Sequence, residues 1–344
     1  MGQFCAAFSK SIEGGYVSYI AETNQYLLSK EPILDDLLIT GKTLTSDCTM
    51  ASVQGIPLKG EIKTSGRWRN SYKIGDIIVT IDFQDQKLQD VFGGPLAHLT
   101  LTTGHPPDLN YRFTISDKTI HLFKNNKLII QEPVGRYHYL QAFFASEIIS
   151  AYSGVDNTDW LASFHGSAIQ TNGQTWLILG DSGSGKSSLA AMCNASGFRC
   201  IADDLVLMHQ SDALIYPNPA GISVKEGAWR VLKDFYPDLD EIPIYSSVKK
   251  KKLVKYIPIN LSDQFRKPQP CHQLVWVNYR PQSAFKTQSL THYQALQQLI
   301  PDTWVTPNKK GAQQFLDWFV CSQCWSLSYS DYREVLSWFK NIKI

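Results

Sequence analysis

Gly180-Asp181-Ser182-Gly183-Ser184-Gly185-Lys186-Ser187 puts three glycines, one ammonium and three hydroxyls into a single octet of the chain. The spacing is G-x-x-x-x-G-K-S. Glycines can turn their amides inward without a Cβ clash, so several N–H groups can converge on one anion. A helix starting near Ser187 would aim the positive end of its dipole at the same point. Lys186 would reach the outer phosphates of a nucleoside triphosphate as a point charge, and the Ser187 hydroxyl would bind Mg²⁺. Ser188 completes the candidate nucleotide-binding stretch. The plain alternative is a Gly/Ser-rich turn that contains Lys-Ser by chance. Context decides between them. Thr175–Leu179 reads as a buried strand directly before the octet, and Ser187–Ala195 reads as a helix stopped by Gly197 directly after it.

Further along, Phe198–Ala202 reads as a second buried strand ending in Asp203-Asp204. Ligands of an open α/β sheet gather beyond the carboxyl ends of its strands, which sets both carboxylates near a bound phosphate. Adjacent carboxylates point in different directions and can divide two tasks. One can order Mg²⁺ or its waters, and the other can take a proton from an attacking hydroxyl. The ordinary reading is a solvated turn, or an Asp capping a helix. His165, a lone histidine before Gly166, would usually be a surface or core residue. The run Lys249–Lys252 with Lys255 reads either as a solvated loop or as a mobile basic flap over phosphates or an acidic substrate. Lys225 is a further cation that could face the phosphates.

The elements that must position these residues lie mainly in the rear half. Ser167–Gln170 is a strand, and Asn172-Gly173 is the dipeptide that a tight hairpin turn prefers. Leu205–Met208 and Leu274–Val277 read as strands, and Tyr293–Leu299 and Tyr332–Phe339 as helices. Residues up to about 130 look β-rich. Tyr16–Ile20, Ile77–Phe83, Tyr111–Ile115 and Thr119–Phe123 are apolar stretches broken by turn residues, with a hairpin at Asn125-Asn126. From Tyr137 to Tyr152, Leu140, Phe143, Phe144 and Ile148 fall on one helical face, and this helix is expected to join the halves. The expected division is a β-rich α+β domain over 1–135 and an α/β domain over 136–344.

The bulk numbers fit this reading. The 344 residues, 43% hydrophobic and 19% charged, can bury a sizeable core. A net charge of +2 gives no global nucleic-acid signal. The first ten residues have no basic stretch leading into an apolar run, and no apolar run approaches the ~18 residues that span a bilayer. A cytoplasmic protein without membrane or nucleic-acid partners is expected, and a homo-oligomer is compatible with it. Seven cysteines, an odd count, point to reduced thiols. Cys321-x-x-Cys324 lacks a second pair to complete a zinc site, so buried structural thiols are the stronger reading. Cys5 would need to be residue 1 to act as an N-terminal nucleophile.

Taken together, His165-Gly166-Ser167-Ala168-Ile169-Gln170, the octet, and Gly197-Phe198-Arg199-Cys200-Ile201-Ala202-Asp203-Asp204 resemble the catalytic domain of HPr kinase/phosphorylase and its wider set of relatives. Order and intervening lengths agree from His165 to Met208, and Asn218–Lys225 is similar to a segment of the kinase-like relatives. The resemblance implies a P-loop kinase domain of the type shared with phosphoenolpyruvate carboxykinases, using ATP and Mg²⁺. It implies that His165 sits near the transferred phosphate and that Lys186 neutralises the γ-phosphate. Ser187 would bind the metal, Asp203 would assist metal or water, and Asp204 would be the base that deprotonates an acceptor serine. Ser188 stands where bacterial members usually carry Glu. Ser223-Val224-Lys225-Glu226-Gly227 lacks the Glu and replaces the Arg of the stretch linked to phosphorolysis, so the reverse reaction is not expected. Some divergent relatives phosphorylate a serine of a ribosomally made precursor peptide, as in lasso-peptide systems, which implies a peptide acceptor. The rival expectations are a small-molecule kinase and a nucleotide-binding regulator that transfers nothing.

Overall fold

The structure is a computed structural model that describes residues 8–21, 23–30, 42–45, 68–102, 104, 106–246, 253–261 and 266–342. Two compact units emerge, and neither is a continuous stretch of chain. One gathers residues 1–49, 158–216 and 268–344, and the other gathers 50–157 and 217–267. The expected cut at 135/136 falls inside the second unit. The front strands Phe8–Ile12, Gly15–Ile20 and Gln25–Ser29 belong instead with the rear segments, because Tyr19, Tyr26 and Leu28 share one core with Phe164, Leu177 and Phe315.

The first unit carries the octet. Its largest sheet has six strands in the order Arg199–Asp203, Ser167–Thr171, Gln174–Leu179, Gln273–Tyr279, Gln323–Tyr329, Lys286–Ser289. Ser167–Thr171 runs antiparallel to both of its neighbours, so Arg199–Asp203 and Gln174–Leu179 point the same way. Gln273–Tyr279 and Gln323–Tyr329 continue in parallel from Gln174–Leu179. Four strands therefore end on one edge. The central strands read as unbroken apolar runs because both faces are covered. The hairpin Asn172-Gly173 has φ of 51° and 76°, the positive pair its turn type requires. A second sheet in this unit is built from Ile215–Tyr216, Val206–His209, Trp160–Phe164 and Thr303–Val305. Val206–His209 thus leaves the sheet of the strand before it. The helices His292–Leu299, Lys309–Val320 and Tyr332–Asn341 begin at Thr291, Asn308 and Asp331, whose side chains each accept from a first-turn amide.

The second unit holds a five-stranded sheet, from Trp68–Ile74 through Ile77–Phe83, Leu109–Ser116 and Thr119–Lys124 to Lys127–Pro133. The helix Tyr137–Ser153, expected to be a junction, packs on this sheet. Leu140, Phe144, Ile148 and Tyr152, four residues apart, bury one stripe, and the Phe144 ring meets Phe113 at 5.0 Å and Tyr111 at 5.4 Å, edge to face. Among the described residues no helix is long and apolar enough to cross a membrane.

Candidate active site

The octet leaves the carboxyl end of Gln174–Leu179 and enters the helix Lys186–Ala195. Gly180, Gly183 and Gly185 have φ of 135°, 92° and 98°, which side-chain-bearing residues rarely adopt. At Gly180 the approach is also close: a Cβ there would lie 2.6 Å from the Val277 carbonyl oxygen and 2.8 Å from Ser184 Oγ. The loop is fixed to the next strand by the Tyr279 N–H, which donates to the Ser184 carbonyl at 3.0 Å. Asp181, Ser182 and Gly183 are exposed, Ser187 and Ser188 are half-buried on the first helical turn, and Lys186 is buried. A buried ammonium must be solvated by the protein. Lys186 Nζ donates to the carbonyls of Gly180 at 2.6 Å and Asp181 at 3.1 Å.

His165, Asp203 and Asp204 come together at the neighbouring strand ends. Ser167 pairs with Ile178 on one side and Asp203 on the other, so the hairpin start lies between the octet strand and the Asp strand. Gly166 allows this approach, since a Cβ there would stand 2.6 Å from the Ile178 carbonyl oxygen. The two carboxylates separate as adjacent side chains must. Asp203 is buried and accepts from Ser167 Oγ at 2.5 Å. The Asp204 side chain is 63% exposed, with its Oδ1 3.4 Å from His165 Nδ1. His165 Nδ1 also lies 3.2 Å from the Asp204 carbonyl oxygen, and its backbone N–H donates to the Asp302 carbonyl at 3.3 Å. Asp204 has φ of 66°, a left-handed conformation that Asp tolerates better than most residues, and Leu205 N–H donates to the Asp203 carbonyl beneath it.

A pocket of about 670 Å³ opens along this edge. His165 and Gly180–Ser184 line it with Asn278, Tyr279 and Arg280 at the end of Gln273–Tyr279, and with Ser326 and Ser328. These last five were missed in the sequence. Leu274–Val277 was legible as a strand, but no local signal says that it lies parallel to the octet strand and ends beside it. Ser167 was missed as well, and its only signal was its place in the hairpin.

The residues fit a nucleotide phosphate and its metal in kind. Ser187 and Asp203 supply hard oxygen donors of the sort Mg²⁺ takes. Among the described residues no group of three or more His, Cys, Asp and Glu could hold a metal by itself. Ser184 Oγ is buried within the loop with no hydrogen-bond partner among the described residues, a donor left for something outside the chain.

The remaining candidates belong to other segments of the chain. Lys225 is exposed at the start of the helix Glu226–Leu232 in the second unit. Lys249–Lys252 lie outside the described residues, as do Cys5 and Cys48. Lys255 is not a flap cation: it is buried, and its Nζ donates to the carbonyls of Leu239 at 2.7 Å, Asp240 at 3.2 Å and Ile242 at 2.7 Å. Cys193, Cys200, Cys271 and Cys324 are buried thiols, and burial pushes Cys271 and Cys324 up to about 12, which makes them inert. Cys321, expected among the buried thiols, is exposed.

No family profile matches the chain, and no curated protein matches it. Among solved structures, the chain is similar to the Hpr(Ser) kinase/phosphatase from Coxiella burnetii, with a TM-score of 0.24 and 9% identity over 52% of this chain and 94% of that one. That likeness is distant.

Proposed function

We propose that the chain is an ATP-dependent kinase that transfers the γ-phosphoryl group to a serine-type hydroxyl of a protein or peptide. One observation carries the reading: a strand, a glycine-rich loop ending in Lys186 and a helix meet the His165–Asp204 pair on one edge of one sheet. In this reading the loop amides and Lys186 hold the triphosphate, and the ammonium exchanges its loop carbonyls for phosphate oxygens. Ser187 and Asp203 would hold Mg²⁺, which supplies charge neutralisation on the phosphates when bound. Asp204 takes the proton of the attacking hydroxyl. His165, 3.4 Å from that carboxylate, positions it at the pocket rim. Most of the rate would come from alignment and fixed charge. The exposure of Asp204 and the open pocket favour an acceptor carried on a polypeptide over a small metabolite that needs enclosure.

The test is phosphate transfer from labelled ATP by the full chain to serine-containing peptides, run beside a pool of small hydroxyl metabolites. Asp204→Asn should keep ATP affinity and lose about 10²–10⁴ in transfer rate, the usual contribution of a general base. Full transfer by Asp204→Asn would refute the base assignment, and label appearing only in metabolites would refute the peptide acceptor.

A further inference from the structure

The phosphates of a nucleotide held by the octet leave its sugar and base to one side, and the two sides differ. One flank carries His165 and Asp204, where an acceptor must enter. The other is the end of Gln273–Tyr279. Here Tyr279 is 45% exposed, one of two large hydrophobic side chains exposed among the described residues. A single exposed aromatic is ordinary on a surface. This one lines the pocket of the octet and is anchored to it. Its N–H donates to the Ser184 carbonyl at 3.0 Å, and its ring meets the buried Tyr329 ring at 5.6 Å and 68°. A Cβ at Gly185 would lie 3.3 Å from Tyr279 Cβ. The platform is therefore held at the loop's own edge. Beside it, Arg280 donates its backbone N–H to the Tyr329 carbonyl at 2.9 Å. With the Asn278 amide turned to accept, Arg280 Nε and Nη2 donate to Asn278 Oδ1 at 3.0 and 3.1 Å. A held cation on this flank attracts an anionic ligand toward the ring.

We propose that Tyr279 is the stacking platform for the base of the bound nucleoside triphosphate, with the Arg280 guanidinium beside it. This rests on the phosphate-binding reading of the octet and adds which way the nucleotide lies. The base stacks over the end of Gln273–Tyr279, so the His165–Asp204 flank stays open to the acceptor. Stacking on an aromatic side chain tolerates any base, because every base has a π face.

Equilibrium binding of ATP and of inorganic tripolyphosphate to the full chain tests it. Tripolyphosphate fills the loop without offering a base. Tyr279→Ala should weaken ATP by about fivefold to a hundredfold, the range for one stacked base, and leave tripolyphosphate unchanged. Tyr279→Phe should keep the affinity for both. Unchanged ATP affinity in Tyr279→Ala overturns the platform and leaves the loop reading standing. Equal losses for the two ligands also overturn it, since the ring would then only support the loop. A wild-type chain that binds neither ligand overturns the loop reading and this inference with it.

Discussion

Among the described residues each unit buries one lysine against backbone carbonyls, and the two do it differently. Lys186 Nζ lies under a glycine-rich loop at an open pocket, with the carbonyls of Gly180 and Asp181 among its partners. Lys255 Nζ sits 5.3 Å from the Trp229 ring centre and takes three carbonyls from the turn Pro237–Glu241 and Ile242. Three converging carbonyls and an aromatic face satisfy an ammonium fully and pin a turn to a strand. Carbonyls of a loop whose glycines sit at positive φ can be released when a stronger anion arrives. On the proposed reading, the same residue type at similar burial is a fastener in one unit and a poised ligand in the other. The difference lies in what the carbonyls belong to.

Exchanging the readouts is the strongest way to break that comparison. Lys186→Ala should reduce phosphate transfer by at least about a thousandfold, as loss of a charge held against the transition state does. Its thermal midpoint should stay close to wild type, because the carbonyls it leaves belong to the half-buried Gly180 and the exposed Asp181 at the start of the loop, where water can replace the ammonium. Lys255→Met should do the reverse. Three carbonyls losing their ammonium donor, with Leu239 keeping only the Ile242 N–H, should lower stability by about 3–5 kcal/mol in a denaturant titration. Transfer rates measured below the midpoint should be unaffected. A Lys186 variant that unfolds, or a Lys255 variant that keeps full stability, would erase the distinction.

Sequence alone made one of these lysines legible. The local setting of Lys186 was readable because the strand, glycines, ammonium and helix of the motif are contiguous in the chain, and each has a local physical signature. Asp203-Asp204 and the Asn172-Gly173 hairpin were legible for the same reason. Lys255 was grouped with its basic neighbours because the carbonyls that receive it lie thirteen to sixteen residues away, beyond any local pattern. Tyr279 was invisible as a site residue because parallel pairing between Gln174–Leu179 and Gln273–Tyr279 joins strands about a hundred residues apart. The interleaving of the two units has the same origin. The apolar faces of Gly15–Ile20 and Gln25–Ser29 declare that they need a partner, and nothing in them says that the partner is a core around Phe164 and Phe315.

A smaller effect separates the units by pH. Burial disfavours the charged imidazole of His98 in the second unit and pushes it down to about 4 from an ordinary 6.5. A depressed histidine means that the unfolded chain binds the proton first as pH falls. The unit should hold its full stability above about 6.5 and lose it progressively toward pH 4, by at most about 3 kcal/mol across that window. His98→Gln should flatten this part of the stability profile. An unchanged slope in His98→Gln would assign the acid sensitivity to other groups.

The smallest prediction uses one strain in two places. Gly183 in the octet has φ of 92°, and Gly154, which ends the helix Tyr137–Ser153, has φ of 69°. A Cβ at either position meets nothing within 4 Å. Alanine therefore adds no clash at either site, only the conformational cost of positive φ, about 1–2 kcal/mol. At Gly154 the helix end is part of the folded unit, whose last turn is closed by the Gly154 N–H donating to the Ser150 carbonyl. The cost should appear there as lost stability, a thermal midpoint lower by a few degrees with ATP affinity unchanged. At Gly183 the exposed loop can relax and hide the strain from the folding equilibrium. The cost should then appear when ATP demands the original loop, as affinity weakened by about fivefold to thirtyfold at nearly constant thermal midpoint. If Gly183→Ala instead loses stability like Gly154→Ala and binds ATP normally, the loop is as rigid as a helix end, and the contrast between a poised ligand and a fastener fails at its root.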